Sequence, residues 1–305
     1  MADPTPPMAA KNEDSLRGFG FALAAYLLWG FLPIYMKALS HISPTEVVAH
    51  RALWSLPIAG AVLLIQRRTG DLRAALNSWQ TLKMACLTTA LISTNWGIYV
   101  WAITSGHTLD AALGYYINPL FSVFLGAVLL KERLQPAQMA AIALAVLAVS
   151  VLTWEAGRLP IVSLALMLTW GFYAYLRKTL PIGPNQGFFL EVMLMALPAI
   201  GYILYLTASG ESHFLAGSTY DNWLLFGCGI VTSAPLMIYA NGAKLLKLST
   251  IGIMQYIAPT LIFLTAVFVF NEPFGQARMI AFPLIWLALI IYTASMFRQA
   301  KRAGR

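Results

Sequence analysis

Charge is what this 305-residue chain has least of: Asp, Glu, Lys and Arg together make up 10% of it, against about a quarter in a typical soluble domain. Cysteine is nearly absent as well. Cys86 and Cys228 both fall inside apolar runs, which excludes a disulfide framework and a cysteine-based metal site. No G-x-x-x-x-G-K-[ST] loop is present, so the chain does not itself hydrolyse ATP. No H-E-x-x-H occurs either, and His41, His107 and His213 fall singly in expected outer loops. Neither a metal nor another cofactor is expected. What the chain has instead is apolar side chain, 59% of all residues, with a mean hydropathy of +0.70. A soluble fold of this composition would expose more apolar surface than a monomer keeps in solution. The reading is an all-α integral membrane protein. Its net charge of +8 does not point to nucleic acid, because the basic residues lie between apolar runs rather than on one folded surface.

A spanning helix takes about 20 residues. Uninterrupted apolar stretches give ten of them, at roughly 18–37, 45–66, 83–105, 109–130, 136–154, 159–177, 188–207, 222–243, 249–271 and 278–297. With the N-terminus inside, sixteen of the 20 Lys and Arg residues fall in inner segments and only Arg158 and Arg278 in outer loops. That asymmetry orients the chain with both termini cytosolic. The polar, proline-containing start reads as a disordered tail over 1–17, followed by five helices over 18–154, five more over 155–297, and a basic tail over 298–305.

The two sets of five repeat each other at an offset of about 140 residues. Tyr116-Ile117-Asn118-Pro119 matches Tyr256-Ile257-Ala258-Pro259, and Ser93, Tyr99 and Glu132 match Ser233, Tyr239 and Glu272. One residue out of register, Trp29-Gly30-Phe31 matches Trp170-Gly171-Phe172. An odd number of helices per copy inserts the second copy upside down, and the charges agree: Lys131-Glu132-Arg133, expected inside, corresponds to Asn271-Glu272-Pro273, expected outside. Inverted repeats are the architecture of secondary transporters, with the site between the halves near mid-membrane.

Several stretches resemble the drug/metabolite transporter superfamily of EamA type, and most closely its RarD (chloramphenicol-sensitivity) group. They are Ala24-Ala25-Tyr26 with Trp29-Gly30, Glu46 with His50-Arg51, Asn95-Trp96 with Trp101-Ala102, Leu113-Gly114-Tyr115 with Ile117-Asn118-Pro119-Leu120, Glu132-Arg133, Gln255-Tyr256-Ile257 and Pro259-Thr260-Leu261. The likeness runs from Leu16 to Phe297. The family's usual Gly-Glu after helices 4 and 9 appears here as Lys131-Glu132 and Asn271-Glu272. The resemblance implies a ten-helix inner-membrane exporter of small organic molecules, without specifying the substrate.

Counting from span ends at 1.5 Å per residue puts Trp29, Asn95, Asn118, Pro119, Trp170, Tyr256 and Pro259 at mid-depth, with Tyr115, Tyr116 and Gln255 beside the two prolines. These ten are the candidate substrate-binding residues. Pro119 and Pro259 each free the carbonyl four residues earlier, which must face protein or a water-filled cavity. Trp29 and Trp170 suit stacking on an aromatic or cationic solute. Kinking for packing, and plain filling between helices, are the competing readings, and Tyr99 and Tyr239 are read first as packing residues. Glu46, His50 and Arg51 are the charged cluster within a span and the candidates for gating or coupling. Glu46 as a helix cap and a snorkelling Arg51 are the interfacial alternative.

The expected function is export of small amino-acid-like, aromatic or phenicol-like solutes by alternating access. The bilayer is the surrounding phase, nucleic acid plays no part, and the protein is a monomer or homodimer. The rival is an intramembrane enzyme acting on a lipid head group through Glu46, His50 and Arg51.

Overall fold

A computed structural model describes residues 15–66, 70–129, 134–179, 181–243, 245–246 and 254–303. The polar start up to Asp14, Lys131-Glu132-Arg133 and the beginning of the expected ninth span lie outside the described residues. What is described is helical throughout. The helices are α1 (Leu16–Ala38), α2 (Pro44–Ile65), α3 (Gly70–Leu76), α4 (Trp79–Thr104), α5 (Thr108–Leu129), α6 (Pro136–Ala156), α7 (Ile161–Thr179), α8 (Pro184–Ser209), α9 (Thr219–Ala243), α10 (Ile257–Leu264, continued by a π turn over Thr265–Val269) and α11 (Gln276–Ala303). The seven-residue α3 was not anticipated from sequence. Seven helices (α1, α2, α5, α6, α8, α9 and α11) are long and apolar enough to cross a bilayer, while α7 and α10 contribute shorter apolar stretches. α4 has the length, but Thr88, Thr89, Ser93, Thr94 and Asn95 reduce its hydropathy.

Local chemistry sets the helix ends. Ser15, Ser43 and Ser78 cap α1, α2 and α4, each accepting a hydrogen bond from the backbone N–H three residues on. Pro44, Pro136 and Pro184 begin α2, α6 and α8, where a missing N–H costs nothing. α5 is different, because its cap comes from far along the chain. The Glu272 carboxylate accepts from the backbone N–H of Thr108 at 2.8 Å and of Leu109 at 2.9 Å, which places a negative charge on the positive end of the helix dipole. Two features aim it there. The π turn ends α10, and Asn271 then adopts φ 52°, a left-handed backbone that Gly and, less readily, Asn accept with the least strain. Asn in the family's Gly position therefore satisfies the same backbone demand.

Outside the bundle the surface is apolar, as at Leu64, Trp79, Val146, Trp154, Leu197, Trp223, Phe268 and Ile290, whereas Ser55, Thr88, Asn95, Ser163 and Glu191 are buried within it. This inversion is what a lipid environment demands. The most extensive helix packing joins early helices to late ones: α1 to α9 and α10, α2 to α8 and α9, α4 to α7 and α8, α5 to α7 and α10, α6 to α11. Close crossings occur at glycines. A Cβ on Gly30 of α1 would sit 2.6 Å from the Cβ of Leu261 on α10, and one on Gly171 of α7 would collide with the ring of Phe121 on α5.

Asn95 pins three helices together. Its Nδ2 donates to the Leu166 carbonyl at 3.2 Å and to Thr169 Oγ1 at 2.9 Å on α7, while its Oδ1 accepts from the Tyr115 hydroxyl on α5 at 3.2 Å. Interhelical hydrogen bonds in membranes average about 0.6 kcal/mol each, so Asn95→Leu is expected to cost about 2 kcal/mol and Tyr115→Phe less than about 1 kcal/mol. Thermal unfolding in detergent checks both. In the same assay Asn271→Val is expected to lose about 1–2 kcal/mol and Asn271→Gly to lose nothing; equal melting of the two variants would remove the left-handed constraint as the reason for Asn.

Candidate functional site

Hydrogen bonds between distant loops sort the helix ends into two sets. Ser15 N–H to the Leu245 carbonyl, Asn185 to Gln66, and Ser295 to Gln135 gather one end of the bundle. His41 to Asp221, Glu46 to His213, and Asp110 to Arg278 gather the other. Between them lies a cavity of about 660 Å³, lined from α1, α2, α4, α5, α7, α8, α9 and α10 and by the Gln255 turn. Its wall reaches Arg177 at the last turns of α7 and Asn185 at the start of α8, both at the first end.

Of the ten expected binding residues, Trp29, Asn95, Tyr115, Asn118, Pro119, Trp170, Gln255 and Pro259 line this cavity. Two face elsewhere. Tyr116 donates its hydroxyl to Thr260 Oγ1 at 2.8 Å and sets its ring edge on Phe282, so it belongs to the packing of α5, α10 and α11. Tyr256 packs into the same apolar core. The two prolines also differ. Pro119 stands inside α5, but Pro259 is in the first turn of described α10, where no mid-helix hydrogen bond is lost.

The Trp residues stand in aromatic company. Trp29 lies 5.6 Å from Tyr26 and 5.5 Å from Tyr239, and Trp170 lies 6.2 Å from Tyr115 and 5.7 Å from Tyr173, ring centre to ring centre. Tyr26, Trp96, Tyr99, Tyr173, Phe188, Arg177 and Tyr239 complete much of the wall. Most were missed or read as packing, yet helical spacing carried a signal: Tyr26 is three before Trp29, Tyr173 three after Trp170, and Tyr99 four after Asn95.

Glu46, His50 and Arg51 are each engaged with a different partner. Glu46 does not cap α2, a task Ser43 performs. Its carboxylate instead receives the backbone N–H of His213 at 2.8 Å and meets His213 Nδ1 at 2.9 Å. His50 Nδ1 accepts from the indole N–H of Trp54 at 3.0 Å, and its ring packs on Phe214 at 4.9 Å. Neither lines the cavity. Arg51 does, being 4% exposed rather than snorkelling to an interface. Its Nε donates to Thr232 Oγ1 at 3.0 Å and its guanidinium lies 4.5 Å from the centre of the Trp96 ring.

The end away from Arg177 is closed by carboxylate contacts. Glu46 with His213, His41 with Asp221 at 2.9 Å, Asp110 with Arg278 at 3.0 Å, and the Glu272 cap of α5 all lie there. His41 and His213 thus have carboxylate partners that sequence reading did not assign them. Just outside this closure is a more open cavity of about 510 Å³, lined by His41, Glu46, Trp101, Glu211 and His213 among others. Among the described residues no group of three or more His, Cys, Asp or Glu could hold a metal ion.

The model of the EamA-like transporter family matches residues 16–154. An uncharacterized transporter of Pseudomonas aeruginosa is 40% identical to this chain over 94% of it and 96% of the relative. The protein RarD of Streptomyces exfoliatus is 38% identical over 97% and 94% respectively. A crystal structure of 21% identity superposes with a TM-score of 0.60 over 92% of this chain and 98% of that one, a likeness of fold alone. With apolar helices outside, a polar and aromatic cavity within, and relatives of this identity over nearly its whole length, the chain is a multi-pass membrane protein that belongs to the EamA transporter family of the drug/metabolite transporter superfamily, in its RarD-like group.

Proposed function

We propose that this chain is an inner-membrane secondary transporter that exports small organic solutes by alternating access between two inverted five-helix halves, with both termini cytosolic. The observation that carries the reading is the cavity, whose wall draws on helices from both halves and runs to the end bearing Arg177 while charged contacts close the opposite end. That is the geometry of a carrier reached from the side rich in Lys and Arg. α4, whose polar residues reduce its hydropathy, and α7 and α10, the shorter apolar helices, all contribute to the cavity wall.

Packing supports the inverted halves. α1 lies on α9 and α10 as α7 lies on α4 and α5, and the pairs α2 with α8, α5 with α10 and α6 with α11 each join counterparts. The close crossings correspond as well: Gly171 follows Gly30 by 141 residues, and Leu261 follows Phe121 by 140. Two halves of like sequence supply two states of similar energy, open to opposite sides. Among the described residues no carboxylate lines the cavity, which favours drive by the solute gradient over a deep acidic proton site. The transporter names of the relatives agree with this reading. The lipid head-group reading is less favoured, because Glu46, His50 and Arg51 are turned to three separate partners.

Reporter fusions after Glu132 and after Glu272 are expected on opposite faces of the membrane; the same face for both would end the inverted-repeat reading. In reconstituted vesicles, saturable flux of a pooled set of amino acids, nucleosides and phenicols is expected, little changed by an imposed pH gradient. Trp29→Ala and Asn118→Ala are each expected to lower it about tenfold while remaining folded, as befits loss of a stacking or hydrogen-bonding contact. A folded protein with no flux for any compound would count against a carrier.

A further inference from the structure

Resting on the carrier reading, we propose that the transported solute is a small aromatic carboxylate whose anionic group is held by Arg51. Arg51 is a buried cation without a protein anion: among the described residues no carboxylate lies within ion-pair distance of it. Thr232 takes its Nε, Trp96 covers its guanidinium face, and Nη1 is buried with no hydrogen-bond partner. An unpaired charge removed from water is costly, and a guanidinium satisfies a carboxylate through two parallel N–H bonds. α8 shows the compensated case. Glu191 is also buried within the bundle, but Arg177 Nε stands 3.5 Å from one of its oxygens and the Tyr173 hydroxyl donates to the other at 3.1 Å. For Arg51 the protein supplies no such counter-charge, so the solute supplies it.

The surroundings narrow the class further. Beside the main cavity is a recess of about 40 Å³ whose polar side chains are Arg51, Thr232 and Tyr173 and whose remaining wall is apolar or aromatic, including Trp29, Trp96 and Trp170. It offers room on the scale of a carboxylate group rather than of a whole solute. The Tyr99 hydroxyl and Asn118 Oδ1, on cavity-lining residues, are likewise buried without partners. Tyr99 can donate to a carboxylate that Arg51 holds, and Asn118 Oδ1 can accept from a neighbouring N–H. The aromatic wall stacks on a flat ring. An organic cation, otherwise suited to such a wall, would face Arg51 with no acidic side chain among the described lining residues to offset it.

Calorimetric titration of the full-length protein in detergent tests this with four probes that share one ring: 3-phenylpropionate, its primary amide, phenylalanine and phenethylamine. Both carboxylates are expected to bind at least tenfold tighter than the amide, the loss associated with removing one charge-assisted pair, and the amine is expected not to bind. Arg51→Met is expected to abolish the preference for acid over amide while keeping a monodisperse gel-filtration profile, and Arg51→Lys to retain part of it. Tyr99→Phe is expected to weaken the acids and not the amide. Equal affinity for acid and amide, acid selectivity that survives in Arg51→Met, or no heat with any probe would each overturn the assignment. Should Arg51→Met fail to fold, the wild-type series and Arg51→Lys still decide. Phenylalanine binding more tightly than phenylpropionate supports the assignment and adds Asn118 as partner to an ammonium. Vesicle counterflow separates this inference from the one beneath it. Exchange of the amide without acid preference would leave a carrier and remove the carboxylate, whereas acid binding without exchange would keep the site and remove the carrier.

Discussion

A bilayer interior supplies no hydrogen bonds, so every polar group within the bundle must find its partner in the protein or face a cavity. Some of the buried and half-buried polar side chains meet this demand locally. Thr88, Thr104, Thr153 and Thr169 return their hydroxyls to carbonyls three or four residues earlier, which keeps them neutral toward helix packing. Asn95 and Glu191 meet it across helices, and so fix α4 against α5 and α7, and α8 against α7. Arg51 meets it only in part, through Thr232 and the face of Trp96. This buried charge, with Nη1 left unpartnered, is also one that lines the cavity.

The two ends of the bundle are held by different chemistry. At the closed end the contacts run through carboxylates and join residues far apart in sequence, each worth little where water reaches it and more where it does not. Glu46 is 1% exposed and bound twice by His213, and Glu272 occupies the dipole of α5. These are contacts that an opening motion would break together. An alternating carrier needs such a set to be replaceable at the other end, since a solute shifts a two-state equilibrium only by its differential affinity. Contacts near the strength of a few hydrogen bonds suit that exchange better than a large apolar seam would.

Sequence made the helices legible because lipid requires long apolar runs, and most of the expected spans agree with described helices to within a few residues. α3 escaped because seven residues between two spans carry too little periodicity to stand out. The cavity was legible where polar or aromatic residues stood alone in an apolar run, as Trp29, Asn95, Asn118 and Trp170 do. It was misread where neighbours in sequence point in different directions. Tyr115 and Tyr116 are about 100° apart around α5, so one faces the cavity and the other the α10 and α11 packing. Pairing was not legible at all. His41 and Asp221 are 180 residues apart, and Glu46 and His213 are 167 apart, and nothing in either local sequence specifies the other.

Asn271 shows how a departure from a family pattern can leave its physics intact. The backbone there needs a positive φ so that the chain can leave the π turn and send Glu272 back onto the first turn of α5. Gly meets that need through lack of a Cβ, and Asn through a small polar side chain tolerated in the same region. The carboxylate that follows carries the contact, and the residue before it only has to permit the turn. The same reasoning applies to Gly30 and Gly171, where the requirement is room rather than φ: a Cβ at either position would enter a side chain of the helix it crosses. Residues that place a neighbour and residues that make the contact are thus constrained for different reasons. Here it is the contacting residues, Glu272, Arg51 and Asn95, whose chemistry bears on how the cavity is closed and filled.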